Sequence, residues 1–259
     1  MALFDNISLN GANEVSKAGE TFSKFLRNMA SGLRINSAGD DASGLAVREL
    51  LRADIATARQ SSRNVQDGIS MLQTAEGSAG QVSKILTHMK QLATQASNGT
   101  YSDQQKNIMQ QEFQQLSEEV ARIAGSTTFN GIQLHQAGQS IDIAVGDGET
   151  ISINTESMAV GSADLVNDAA GAAVTVNTAI NQVSSYRGSL GASMNRLAST
   201  ASVLDIRAEN LLAAESRISD VDMASSVASM TASKIRLNVA LASQAQAKTI
   251  SQAVTMLLG

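Results

Sequence analysis

The apolar residues between Leu51 and Ala96 lie on a seam that restricts the possible folds more than any other feature of the chain. Leu51, Ile55, Ala58, Ser62, Val65, Ile69 and Leu72 follow one another in alternating steps of four and three. That is the spacing by which one helix packs along another. The alternation slips through Glu76, Ala79 and Val82, beside Gly77 and Gly80, then resumes at Leu86, Met89, Ala93 and Ala96. A doubled three-residue step overwinds a coiled coil locally without ending it. At 1.5 Å per residue such a helix is roughly 70 Å long. No compact globule covers it, so the sequence demands other long helices alongside.

A second seam supplies one, through Val176, Ile180, Val183, Leu190, Met194, Leu197, Ala201, Leu204, Ala208, Leu211 and Ile218, with Arg187 and Glu215 also at seam positions. Between the two, Asn98-Gly99 reads as a helix stop with glycine in the left-handed position. Ser102-Asp103-Gln104-Gln105 restarts a helix with a capping box. Its apolar stripe is Met109, Phe113, Leu116, Val120 and Ile123, with Gly125 as its end. The short connection makes this helix antiparallel to the first. The period then changes to two: Ile141, Ile143 and Val145 alternate, as do Ile151 and Ile153, across Gly146-Asp147-Gly148. This predicts a β-hairpin. Residues 156–172 are small and polar and read as a linker. The expected fold class is mainly α, with long antiparallel helices in a coiled-coil rod and a small β-hairpin region.

Both ends are amphipathic. Val15, Ala18, Phe22, Phe25 and Met29 form one stripe, and Val227, Met230, Leu237, Leu241, Ile250, Val254 and Leu257 mark a final helix from Asp220 onward. The N-terminal stripe either packs on its own chain or is reserved for other subunits. Spacing names a face, not a partner.

Little here points to chemistry. Aromatics make up 3% and cysteine is absent, so thiolate chemistry and disulfides are excluded. A net charge of -5 without a basic stripe argues against nucleic acid. No apolar run approaches the roughly 20 residues that a bilayer needs. Lys234, Arg236 and Lys248 are too few for a membrane-surface helix. Asp5, Glu14, Lys17, Glu20 and Lys24 interrupt any secretory signal near the N-terminus. His88 and His135 stand alone, each read as a solvated or partly packed imidazole rather than a metal ligand. Asp40-Asp41 precedes the long helix and reads as an N-cap. Gly146-Asp147-Gly148 lacks the lysine and helix of a phosphate loop. Asn6-Ile7-Ser8 and Asn98-Gly99-Thr100 match the glycosylation sequon without a secretory context. The sequence therefore predicts no catalytic, cofactor or metal residue, and no enzyme.

Several motifs, in order, carry a resemblance. Ser31-Gly32-Leu33-Arg34-Ile35-Asn36-Ser37-Ala38 with Asp40-Asp41-Ala42 resembles the N-terminal signature of bacterial flagellin. Thr128-Phe129-Asn130-Gly131 is similar to that family's helix-to-hairpin junction. Glu215-Ser216-Arg217-Ile218-Ser219-Asp220-Val221-Asp222 resembles its C-terminal signature, and Leu241 to Ala245 with Val254 to Leu258 its last helix.

The resemblance implies a structural subunit that polymerises into the bacterial flagellar filament for swimming motility, with paired terminal helices forming an inner tube. It places the interface on Val15, Phe22, Phe25, Met29, Val227, Met230, Leu237, Leu241, Ile250, Val254 and Leu257. It divides the chain into 1–42, an inner-tube helix and connecting spoke; 43–217, a helical domain with its hairpin near 129–155; and 218–259, the C-terminal inner-tube helix. The variable outer domains of longer flagellins have almost no room here, so a minimal subunit is expected. By resemblance, the chain leaves the cell unfolded through flagellar type III export and lies in the extracellular filament. Its partners are then an export chaperone, hook–filament junction proteins and a cap protein. In flagellins sensed by a vertebrate Toll-like receptor, an arginine, a leucine and a glutamate matter. Leu92 and Glu112 match, but His88 replaces the arginine, so weak recognition is expected. The alternatives are a hook–filament junction protein and a monomeric helical binding module.

Overall fold

A computed structural model describes the backbone of residues 2–258 and the side chains of 9–250 and 252–254. The elements run α1 (Ala2–Ser31), α2 (Ala42–Ala96), α3 (Asp103–Ser126), β1 (Thr128–Phe129), β2 (Ile132–Gln133), β3 (Ser140–Gly146), β4 (Glu149–Asn154), α4 (Ala169–Ser219) and α5 (Met223–Leu258). The chain forms two compact units, Met1–Asp54 with Asn210–Gly259, and Ile55–Glu209.

Each of the four internal helix starts is capped by its own sequence. Asp41 Oδ1 accepts from the Gly44 N–H at 2.9 Å to open α2. Ser102 and Gln105 close the capping box of α3 in both directions. Asp168 Oδ1 accepts from the Gly171 N–H at 2.8 Å before α4, and Asp222 Oδ1 from the Ala224 N–H at 3.0 Å before α5. A side-chain acceptor here satisfies donors that have no partner within the helix.

The core of the second unit lies between α2, α3 and α4. Bonds from α2 to α4 join Ser62 to Asp205 and Glu76 to Arg187, so the two helices run antiparallel. Gln95 of α2 meets Tyr101, just before α3, and His88 of α2 meets Glu112 of α3, so these two are again antiparallel. Val65, Leu72, Ala79, Val82, Leu86 and Leu197 are fully or almost fully buried. Each large apolar side chain so buried stabilises by about 1.5–3 kcal/mol.

The seam differs from expectation in detail. Ala75 is buried and Glu76 only half-buried. The doubled three-residue step therefore falls at Ile69, Leu72 and Ala75, about two turns earlier than the sequence suggested. In α4 the core position is Tyr186 and Arg187 is exposed. Residues 156–172 are not a bare linker: Met158 and Leu165 are buried and α4 begins at Ala169. Gly99 does not take a positive φ, and Gly125 lies inside α3 instead of ending it.

Two antiparallel hairpins complete this unit. β1 pairs with β2 through Phe129 and Ile132, across Asn130 (φ 50°) and Gly131 (φ 81°). β3 pairs with β4 through Ile143 and Ile151, with an irregularity between Ala144 and Gly146 and a turn at Asp147 (φ 54°) and Gly148 (φ 81°). Asn-Gly and Asp-Gly are the pairs that accept two consecutive left-handed residues most readily. The second hairpin lies on α2 at Gly68, which is buried; a Cβ there would overlap Ile143 Cδ1. Only a glycine lets the strand approach that closely.

Candidate functional site

In the first unit, the first and last helices pack on each other. The half-buried residues of α1 (Val15, Ala18, Phe22, Phe25 and Met29) continue the spacing of Gly11, which faces Gln244 of α5. On α5 the protected positions are Ser226, Met230, Ser233, Leu237, Ala240, Gln244, Ala247 and Val254, in steps of four and three with one gap of seven. This is a heptad seam. Half of these positions are serine or alanine, and a cleft of about 290 Å³ remains among Glu14, Lys17, Ala18, Thr21, Ser233, Arg236 and Ala240.

The structure divides the terminal residues marked in the sequence. Met230, Leu237 and Val254 lie on the seam, whereas Val227, Leu241 and Ile250 are 43%, 47% and 49% exposed. The side chain of Leu257 lies outside the described residues. Leu9, Leu26, Met223, Ile235 and Val239 are also exposed. Sequence spacing did not mark Ile235 and Val239. The pair thus uses one face of each helix and leaves these large apolar side chains exposed outside it. Exposed apolar side chains in such number mark an interaction surface.

The link between α1 and α2 is built from the two signature motifs in contact. Gly32 (φ 72°) ends α1 in the left-handed position. The chain then pairs with the α4–α5 junction: the Arg34 N–H donates to Ser219 O at 2.6 Å, and the Val221 N–H to Gly32 O at 3.0 Å. Arg34 Nη2 donates to Ile218 O at 2.7 Å. Arg48 is buried and donates through Nη1 to Ile35 O at 2.6 Å. Asp40 accepts from the N–H groups of Asn36 and Ser37 and lies 2.8 Å from Lys24 Nζ. The Lys24 ammonium, with these backbone donors, holds its carboxyl down at about 2. Asp41 is lowered too, chiefly by the Gly44 N–H. The carboxylates cap turns and helices, as expected.

In the second unit, His88 and Glu112 are both 49% exposed, with Nε2 and Oε1 3.8 Å apart. Leu92 lies in the core at 7% exposure. The exposed members of that trio are therefore the histidine and the glutamate.

One pair resembling a nucleophile and its base escaped sequence reading, since its members are 57 residues apart: Ser78 Oγ lies 2.5 Å from His135 Nε2. His135 is buried rather than solvated, edge-on to Tyr186 with ring centroids 5.8 Å apart. The Ser78 hydroxyl donates its proton to Ala75 O at 2.8 Å. Nε2 must then carry the hydrogen and donate to Oγ. An imidazole that donates to a hydroxyl cannot deprotonate it. Burial also pushes His135 down to about 4, and Nδ1 has no partner among the described residues that would orient it as a base. The pair is packing, not catalysis. Among the described residues no group of three or more metal-binding side chains gathers, and no helix is long and apolar enough to cross a membrane.

Comparison with known proteins agrees with the motifs. The bacterial flagellin N-terminal helical region matches residues 5–140, and the bacterial flagellin C-terminal helical region matches 174–258. A flagellin of Halalkalibacterium halodurans is 41% identical over 91% of each chain. One from Bacillus subtilis is 36% identical over 100% of each. The crystal structure of Bacillus cereus flagellin superposes with a TM-score of 0.51 at 30% identity, over 54% of this chain and 88% of that one.

Proposed function

The chain belongs to the bacterial flagellin family and is a structural subunit of the flagellar filament that drives motility; from that premise we propose that α1 and α5 form one assembly element, held together by their shared seam and joined to neighbouring subunits by their outer faces. The observation that carries this is the set of apolar residues left exposed by the α1–α5 pair, including Val227, Ile235, Val239, Leu241 and Ile250. Residues 1–42 and 218–259 then supply the inner tube, and 43–217 the layer outside it.

Leu241→Asp tests the reading. The position is 47% exposed, so a carboxylate there costs the single chain little. Between subunits an unpaired charge would cost several kcal/mol. Electron microscopy of the reassembled protein should find few or no filaments while circular dichroism stays near wild type. Filaments at wild-type yield would overturn it.

The same reading takes the subunit out of the cell unfolded through the flagellar type III apparatus. Export chaperone, hook–filament junction proteins and cap protein are its partners. Family membership supports these roles, and no observation favours the junction-protein or binding-module alternatives. Recognition by the vertebrate flagellin-sensing receptor is weak, because His88 offers neither a permanent charge nor a planar fork. His88→Arg should raise signalling in a cell reporter by about tenfold, given what an interface arginine contributes. Equal potency would remove position 88 from that surface.

A further inference from the structure

We infer that Asn98 is a site of spontaneous covalent modification, set up by the turn between α2 and α3 to form a succinimide with Gly99. Asn98 is exposed, two residues past the end of α2. Its Oδ1 accepts from the Thr100 N–H at 3.2 Å. Its backbone is fixed on both sides, with its N–H on Gln95 O at 3.1 Å and its carbonyl accepting from the Tyr101 N–H at 3.3 Å. The Gly99 N–H donates to no group among the described residues, so the attacking nitrogen is free.

In the reaction a base in solvent takes the Gly99 amide proton, and that nitrogen bonds to Asn98 Cγ. The charge that develops on Oδ1 lies against the Thr100 N–H, a donor already in place. The Cγ–Nδ2 bond then breaks, and Nδ2 takes a proton and leaves as ammonia. Water opens the five-membered imide at either carbonyl, giving aspartate or the isoaspartyl linkage. The product carries one more negative charge. In the isoaspartyl form it also adds a methylene to the backbone between two helices.

The chain holds two further Asn-Gly pairs, and neither is arranged this way. Gly11 lies inside α1, where its N–H belongs to the helix ladder. Asn130-Gly131 forms the hairpin turn, with Asn130 in the left-handed region and no donor on its side-chain oxygen among the described residues.

The test incubates the full chain at about pH 8, native and in denaturant, and follows each site by peptide mass and isoaspartyl content. Native Asn98 should convert about tenfold faster than in the denatured chain and about tenfold faster than native Asn130. That gain is smaller than the roughly hundredfold or more of a donor in a water-excluded oxyanion hole, because this turn is exposed. Gly99→Ala adds a Cβ that meets nothing within 4 Å, so it should leave the fold intact and slow conversion at 98. Thr100→Pro removes the donor and should bring the native rate down to that of the denatured chain. Protection of Asn98 on folding, or equal native rates at 98 and 130, overturns the proposal. So does a Thr100→Pro chain that folds and still converts at the wild-type rate.

Discussion

Between Ser78 Oγ and the edge of Tyr186, the His135 ring has one nitrogen bonded and one bare. Burial keeps it neutral and pushes it down to about 4, from the 6.5 of a free imidazole. Over that interval the unfolded chain binds a proton that the folded chain refuses. Stability from this residue is therefore complete above about pH 6.5 and is lost as pH falls toward 4. Thermal unfolding of the second unit should show a falling melting temperature across this window. His135→Leu, which is apolar and does not titrate, should flatten that part of the profile. An unchanged slope would place the acid sensitivity elsewhere. Tyr186, whose hydroxyl donates to Leu134 O at 3.0 Å, is pushed up to about 12 mainly by burial and stays neutral throughout.

At the scale of elements, the approach of β3 to α2 yields an opposite-sign test. In a helix interior, alanine for glycine ordinarily stabilises by about 1 kcal/mol. Gly77→Ala in α2 should do so, because a Cβ there meets nothing within 4 Å. Gly68→Ala should instead destabilise by about 1–3 kcal/mol, since its Cβ overlaps Ile143. Denaturant unfolding of the two variants decides, and a stabilised Gly68→Ala would mean the hairpin does not sit on that turn. The helices themselves were legible, because four-and-three spacing, caps and Asn-Gly or Asp-Gly turns are local signals. Where the seams were misread, the error is informative. Glu76 and Arg187 were placed on their seams, each one residue from the true core positions Ala75 and Tyr186. The two pair with each other at 2.6 Å, both partly exposed. Charged residues with long apolar stems flank a core as readily as apolar ones fill it. Spacing alone does not separate the two. Met158 and Leu165 were missed because isolated apolar residues in a loop have no period. The Ser78–His135 contact was missed because sequence distance hides spatial proximity.

At the scale of the whole molecule, the second unit carries a continuous apolar core, whereas the apolar side chains described on the α1–α5 seam are at most half-buried. Half-buried side chains remove little area from water, and a pair of helices so joined is marginal alone. Amide hydrogen exchange should therefore find α1 and α5 weakly protected in dilute monomer and strongly protected in filaments, with α2–α4 of the second unit protected in both. Strong protection of the terminal helices in monomer would mean that they need no neighbours.

The pairing of Gly32 and Arg34 with Ser219 and Val221 has a further consequence. The first and last stretches of the polypeptide are two halves of a single element, separated by the rest of the molecule. A product cut short before α5 keeps a well-formed middle yet offers α1 without its mate. Such a fragment could fold its core and still be refused by the polymer. On the assembly role proposed for the α1–α5 pair, the arrangement acts as a check: only a chain that carries both helices completes that element.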